Sequence, residues 1–154
     1  MRSLVAALVL SAAVVSPAFA APGPNASTGA TSIAASKKDA QSYNVELKAA
    51  GPYKKGSEGS VELVLTPKAG YHVNPDYPAK FKVADPAPEG VNFPKKVLKK
   101  EDGKFEEAKA SLKIPFVAEK AGKTKIAGLF QFSVCSDKNC FMEKAELDVE
   151  IDVK

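Results

Sequence analysis

Cysteine is almost missing from this chain. Cys135 and Cys140 are the only two, with four residues between them. Two cysteines permit a single intramolecular pairing, so no framework of disulfides holds the fold. A chain of this length can bury an ordinary core without such staples. Trp is absent and histidine occurs once, as His72. One cysteine pair and one histidine make a poor zinc site, because a closed structural site wants four ligands. No metal and no other cofactor is expected. No Ser/His/Asp or Cys/His catalytic set can be argued from the spacing. After Val15 no run is long and apolar enough to cross a bilayer. There is no internal repeat and no convincing amphipathic helical pattern, which leaves strands as the building material.

The first residues read as a secretory signal peptide over 1–20. Arg2 gives a short positive end, Leu4 to Val15 an apolar core, Pro17 a break, and Ala18-Phe19-Ala20 a small-x-small cleavage site. No cysteine follows the apolar core, so a lipoprotein anchor at that site is excluded. The expected location is periplasmic or secreted, where a disulfide is permitted. Residues 21–42 are mostly Ala, Pro, Gly, Ser, Thr and Asn. Such a composition buries too little to offset its ordering entropy, so a flexible linker is expected there. One domain is expected over 43–154.

From Tyr43 onward apolar and polar residues alternate in short runs. Tyr43 to Lys48 and Ser60 to Pro67 read as strands, the second with Val61, Leu63 and Leu65 on one face. Ala79 to Ala84 carries Phe81 and Val83, and Val91 to Leu98 is interrupted by Pro94. Ala108 to Ala118 aligns Ala110, Leu112, Ile114 and Phe116, with Pro115 on the other face suggesting an edge position or bulge. Lys123 to Val134 aligns Ile126, Phe130, Phe132 and Val134, with Gly128 as a bulge or close approach. The last run sets Ala145, Leu147, Val149, Ile151 and Val153 against Glu146, Asp148, Glu150 and Asp152. About seven to eight short strands with regular turn signals predict an all-β, antiparallel β-sandwich of immunoglobulin-like type. The cysteine spacing is too short for the immunoglobulin inter-sheet bridge.

Ser136-Asp137-Lys138-Asn139, between the cysteines, is turn chemistry. Both thiols are therefore expected at the neck of a β-hairpin. Closing so short a loop is worth roughly 2 kcal/mol in the chain-entropy model, against nearly 5 for a long-range bridge. A bridge at a turn is better placed to be exposed and exchangeable. Lys138 and Lys144 favour a thiolate and Asp137 opposes it. A structural bridge, a redox-active pair and metal binding all stay open on these residues. His72 reads as a half-exposed strand-end residue beside a turn, with general-base work as the sharper alternative. Lys95, Lys96, Lys99, Lys100 and Lys104 make a basic stretch with Glu101 and Asp102 inside it. A solvated loop is expected there, an acidic partner protein is a possible use, and no nucleic acid is expected for an exported chain.

Gly70-Tyr71-His72-Val73, Pro88-Glu89-Gly90-Val91 and Leu112-Lys113-Ile114-Pro115-Phe116 occur in that order, followed by the aromatic strand into Cys135. In these motifs and their spacing the chain resembles the N-terminal periplasmic domain of the thiol:disulfide interchange protein DsbD, here as a free-standing domain. The resemblance implies an immunoglobulin-like sandwich whose cysteine pair cycles between dithiol and disulfide. Cys135 and Cys140 would be the catalytic pair, with Cys140 attacking the partner disulfide. A cap loop within 92–105 would shield them, with Phe93 or Phe105 as its covering aromatic. The implied partner is a thioredoxin-like periplasmic or membrane protein, engaged by mixed disulfide. The protein itself is expected to be a monomer with no membrane span after signal cleavage. Phe141-Met142-Glu143 stands where family members often carry prolines.

Overall fold

The alternating runs become two antiparallel sheets packed face to face. The computed structural model describes residues 36–154; the expected signal peptide at 1–20 and residues 21–35 of the expected linker lie outside the described residues. The larger sheet contains β1 (Ser36–Asp39), β2 (Tyr43–Ala49), β3 (Glu58–Pro67), β6 (Val91–Asn92), β8 (Gly103–Glu106) and β9 (Lys109–Ala118). The smaller contains β4 (His72–Val73), β5 (Lys80–Val83), β7 (Val97–Lys99), β10 (Gly122–Cys135) and β11 (Cys140–Val153). Strand order is β1-β2-β3-β9-β6 in the first, with β8 also on β9, and β11-β10-β5-β7 in the second, with β4 also on β10. The antiparallel sandwich is as expected, but with eleven strands among the described residues rather than seven to eight.

The split of one expected strand and the added edge strand each have a physical origin. The run from Val91 to Leu98 is two strands in different sheets: β6 pairs with β9 and β7 with β5. Pro94 lies at the crossing, where a residue without an N–H breaks no ladder. β1 has no buried residue and hence no apolar alternation. It is an edge strand made of charge, held by its ladder to β2, by an Asp39–Lys68 ion pair, and by Lys38 Nζ donating to the Lys144 carbonyl at 2.9 Å. Residues 36–39, part of the expected linker, thus belong to a sheet.

The inner faces form one continuous core. Every odd residue from Ala145 to Val153 in β11 is buried. Phe130 and Phe132 stack at 4.7 Å, and Tyr43 meets Phe132 edge to face at 4.8 Å, joining the sheets through aromatic geometry of the favoured kind. Gly128 is a close approach and not a bulge, because the β10/β11 register runs unbroken through it. A Cβ at that position would lie 2.3 Å from Phe81 Cζ. Pro115 pairs with Ser60 on one side. On the other side β9 is unpaired between Leu112, where β8 ends, and Val117, where β6 begins. Pro115 therefore sits in a local edge within an inner strand.

Candidate functional site

β10 and β11 form a long hairpin whose last rung is Cys135 opposite Cys140. The two are joined by a disulfide, their Cα atoms 3.9 Å apart. The turn beyond closes through the Ser136 N–H, which donates to the Asn139 carbonyl at 2.8 Å. The Ser136 hydroxyl oxygen accepts from the Asn139 N–H at 3.2 Å, so the serine fastens its own loop. A hydrogen-bonded rung at Ser136 and Asn139 makes the next one, Cys135 and Cys140, a non-hydrogen-bonded rung, where side chains approach most closely.

Side chains alternate along both strands, and this sets the direction of the bridge. Phe130, Phe132 and Val134 point into the core, so Cys135 points to the outer face of the smaller sheet. Cys140 is likewise out of phase with the buried odd positions of β11. The two cysteines differ in exposure. Cys135, on a strand flanked by β4 and β11, is only 4% exposed, while Cys140 is exposed.

β4 brings the only histidine to this rung. The turn before it is closed by the Tyr71 N–H donating to the Lys68 carbonyl at 3.0 Å. Its third residue, Gly70, has φ of +82°, which a side chain would resist. After β4 the Asn74 side chain accepts from the Asp76 N–H at 3.0 Å, an Asx turn ahead of the next segment. Between these turns His72 pairs with Cys135 and Val73 with Val134. His72, Cys135 and Cys140 therefore form one rank across three strands, facing the same way. His72 is half-buried at the start of its strand, as its sequence surroundings suggest. That the strand delivers it to the cysteines depends on a long-range pairing.

The expected cap aromatics are elsewhere. Phe93 is buried, its ring 6.3 Å from Phe116, which in turn contacts Tyr53. Tyr53 bridges to Val153, at the opposite end of β11 from Cys140. Phe105 is half-buried against Phe130, 6.4 Å away, and so lies on the core side of β10 while the disulfide faces outward. The reason is the same for both: each occupies an inward position of a short strand or crossing segment, and the core takes its ring. The aromatics that flank the cysteine rung are Tyr71 and Phe141, 6.4 Å apart, with Phe141 42% exposed.

Charge near the rung is set partly by Tyr43, whose hydroxyl donates to Glu143 Oε2 at 3.3 Å. Burial first, and then the Glu143 carboxylate, push the phenol up to about 12. In the basic stretch Asp102 pairs with Lys95 at 2.6 Å and accepts from the Lys99 N–H at 2.8 Å. Those two contacts hold its carboxyl below the usual range. Among the described residues no cluster of His, Cys, Asp and Glu could hold a metal ion, and no helix is long and apolar enough to cross a membrane. No protein-family model matches the chain, and no curated protein matches it.

Proposed function

We propose that this protein is a thiol–disulfide exchange module of the periplasm or another extracytoplasmic space, relaying electrons between thioredoxin-like proteins through Cys135 and Cys140. The observation that carries the reading is the unequal exposure of the two cysteines. The bridge closes the end of a hairpin on an outer sheet face, with Cys140 exposed and Cys135 buried beside His72. A bridge so placed offers an incoming thiolate one sulfur and keeps the other as leaving group. The sequence resemblance to the DsbD N-terminal domain points the same way.

In the reducing half-reaction a partner thiolate attacks Cys140 Sγ. The bond between the two sulfurs breaks, and Cys135 leaves as a thiolate that takes a proton. The partner's second thiolate then attacks its own first sulfur in the mixed disulfide. This releases Cys140 and leaves the partner oxidised. Two electrons and two protons have moved from a dithiol partner to the protein. The reverse sequence, with Cys140 attacking an oxidised partner, passes them on. His72 on the Cys135 rung is placed to donate or accept the proton of the leaving sulfur, and an imidazolium there favours its thiolate.

The burial of Cys135 and the position of the bridge as a final rung also fit a purely structural staple that pins the hairpin. Partner capture separates the two readings. Cys135→Ser leaves Cys140 as a lone, exposed thiol and is expected to accumulate a stable mixed disulfide with an oxidised thioredoxin-like protein. Cys140→Ser leaves only the buried thiol and is expected to capture little. Capture by neither variant, or equally by both, sinks the exchange reading.

A further inference from the structure

The outer face of the smaller sheet is divided electrostatically, and the division falls on either side of the cysteine end. Two residues along from the disulfide rung, Ser133 is opposite Met142. Two further along, Lys144, Gln131, Lys80 and Lys99 are cross-strand partners in one line through β11, β10, β5 and β7. Paired residues share a face, so three exposed ammonium groups rise from the same surface as the bridge. Among the described residues none of Lys80, Lys99 and Lys144 lies within ion-pair distance of a carboxylate. At the far end of the same face the lysines are neutralised: Lys125 pairs with Asp148 at 3.0 Å and Lys123 with Glu150 at 3.1 Å.

Two further observations fall on this half. Met142, on the same face as Cys140, is 78% exposed. An unbranched thioether on a wet sheet face adapts to a partner surface and is enriched at interfaces. A cavity of about 420 Å³ opens along the lysine rank, between Tyr77, Pro78, Lys80, Lys99, Glu101 and Gln131.

We propose that the cysteine end of this outer face is a docking surface for an acidic segment of a partner protein, one that carries the partner's exchanging cysteines. Lys80, Lys99 and Lys144 attract and orient the segment, and Met142 anchors it beside Cys140. The inference rests on the exchange reading above and names the partner's chemistry. Unpaired surface charges of one sign raise encounter rates with an oppositely charged partner, in a way that salt suppresses.

Two synthetic peptides test it on the reduced full chain. Each carries an oxidised Cys-Gly-Pro-Cys, flanked in one by glutamates and in the other by lysines. Neutral hydroxyethyl disulfide serves as a third probe. In the step followed, Cys140 thiolate attacks a peptide sulfur and the peptide bridge opens. Cys135 thiolate then displaces the peptide from Cys140, so two electrons pass to the peptide. In about 20 mM salt, where screening reaches roughly 20 Å, the glutamate peptide is expected to react about tenfold faster than the lysine peptide. In about 500 mM salt the ratio should approach one. Combining Lys80→Gln, Lys99→Gln and Lys144→Gln should remove most of the low-salt ratio, with a melt confirming the fold. Met142→Ala should slow the glutamate peptide. Equal rates for the two peptides at low salt, or a ratio that survives the triple substitution, overturn the docking surface. If hydroxyethyl disulfide reacts no faster than it does with an unfolded cysteine peptide, the exchange reading fails and the docking surface with it.

Discussion

His72 stands opposite Cys135 across β4 and β10, the only imidazole of the chain beside its less exposed sulfur. A directly paired cross-strand neighbour places its Cβ about 5 Å away, within reach of a shared proton. His72→Gln is therefore expected to slow exchange of the pair by roughly tenfold, toward the low end for proton-transfer catalysis. An unchanged exchange rate would remove His72 from the chemistry and leave it a strand-end residue.

Tyr43 links the sheets near the same end, and its raised pKa has a defined consequence. The phenol titrates near 10 when unfolded and at about 12 in the fold, so the folded state holds its proton longer. The associated stability is fully present below about pH 10 and is lost as pH rises through about 12. Wild type is expected to lose more stability than Tyr43→Phe over that window. Denaturant melts of both proteins measure it, with the tyrosinate absorbance as an independent readout. Parallel losses in the two proteins would show that the phenol's environment is no different from that of an unfolded tyrosine.

The register of β10 and β11 can be tested through stability. Val149 is buried and Asp148 points outward to Lys125 at 3.0 Å. Val149→Ala should cost about 1–3 kcal/mol by lost burial and a residual cavity, and Asp148→Ala less than about 1 kcal/mol, as for exposed ion pairs. Gly128→Ala should cost on the order of 3 kcal/mol, because the added methyl meets the Phe81 ring. Denaturation midpoints decide. A harmless Gly128→Ala would mean that the Phe81 ring shifts freely, against the packing described.

The aromatic residues divide by location. Phe93 is buried far from the bridge, so Phe93→Ala should lower stability by about 3 kcal/mol and leave the exchange rate of the folded protein alone. Tyr71→Ala and Phe141→Ala act beside the cysteine rung and should change that rate, with smaller effects on the melt. The check is a stopped-flow alkylation series on the reduced variants. Faster alkylation in Phe93→Ala with an unchanged melt would restore Phe93 as a cap.

Much of the sheet structure was legible because its determinants are local. The alternation from Ala145 to Val153 gives both the strand and the buried face, and the four turn residues between the cysteines give the hairpin. Other features depend on partners distant in sequence. β1 has no apolar pattern and exists through its ladder to β2. β4 is two residues long, and only pairing with β10 puts His72 on the cysteine rung. Phe93 and Phe105 as cap aromatics were implied by the family resemblance, and the sequence alone does not say which layer takes each ring.

The measurement that tests the central claim most directly is the reduction potential of the Cys135–Cys140 pair, read from the fraction reduced in a series of glutathione or dithiothreitol buffers. An exposed bridge that exchanges with partner dithiols is expected above about −300 mV. A value well below that, with reduction only by excess dithiothreitol, would make the bridge a structural staple and contradict the relay.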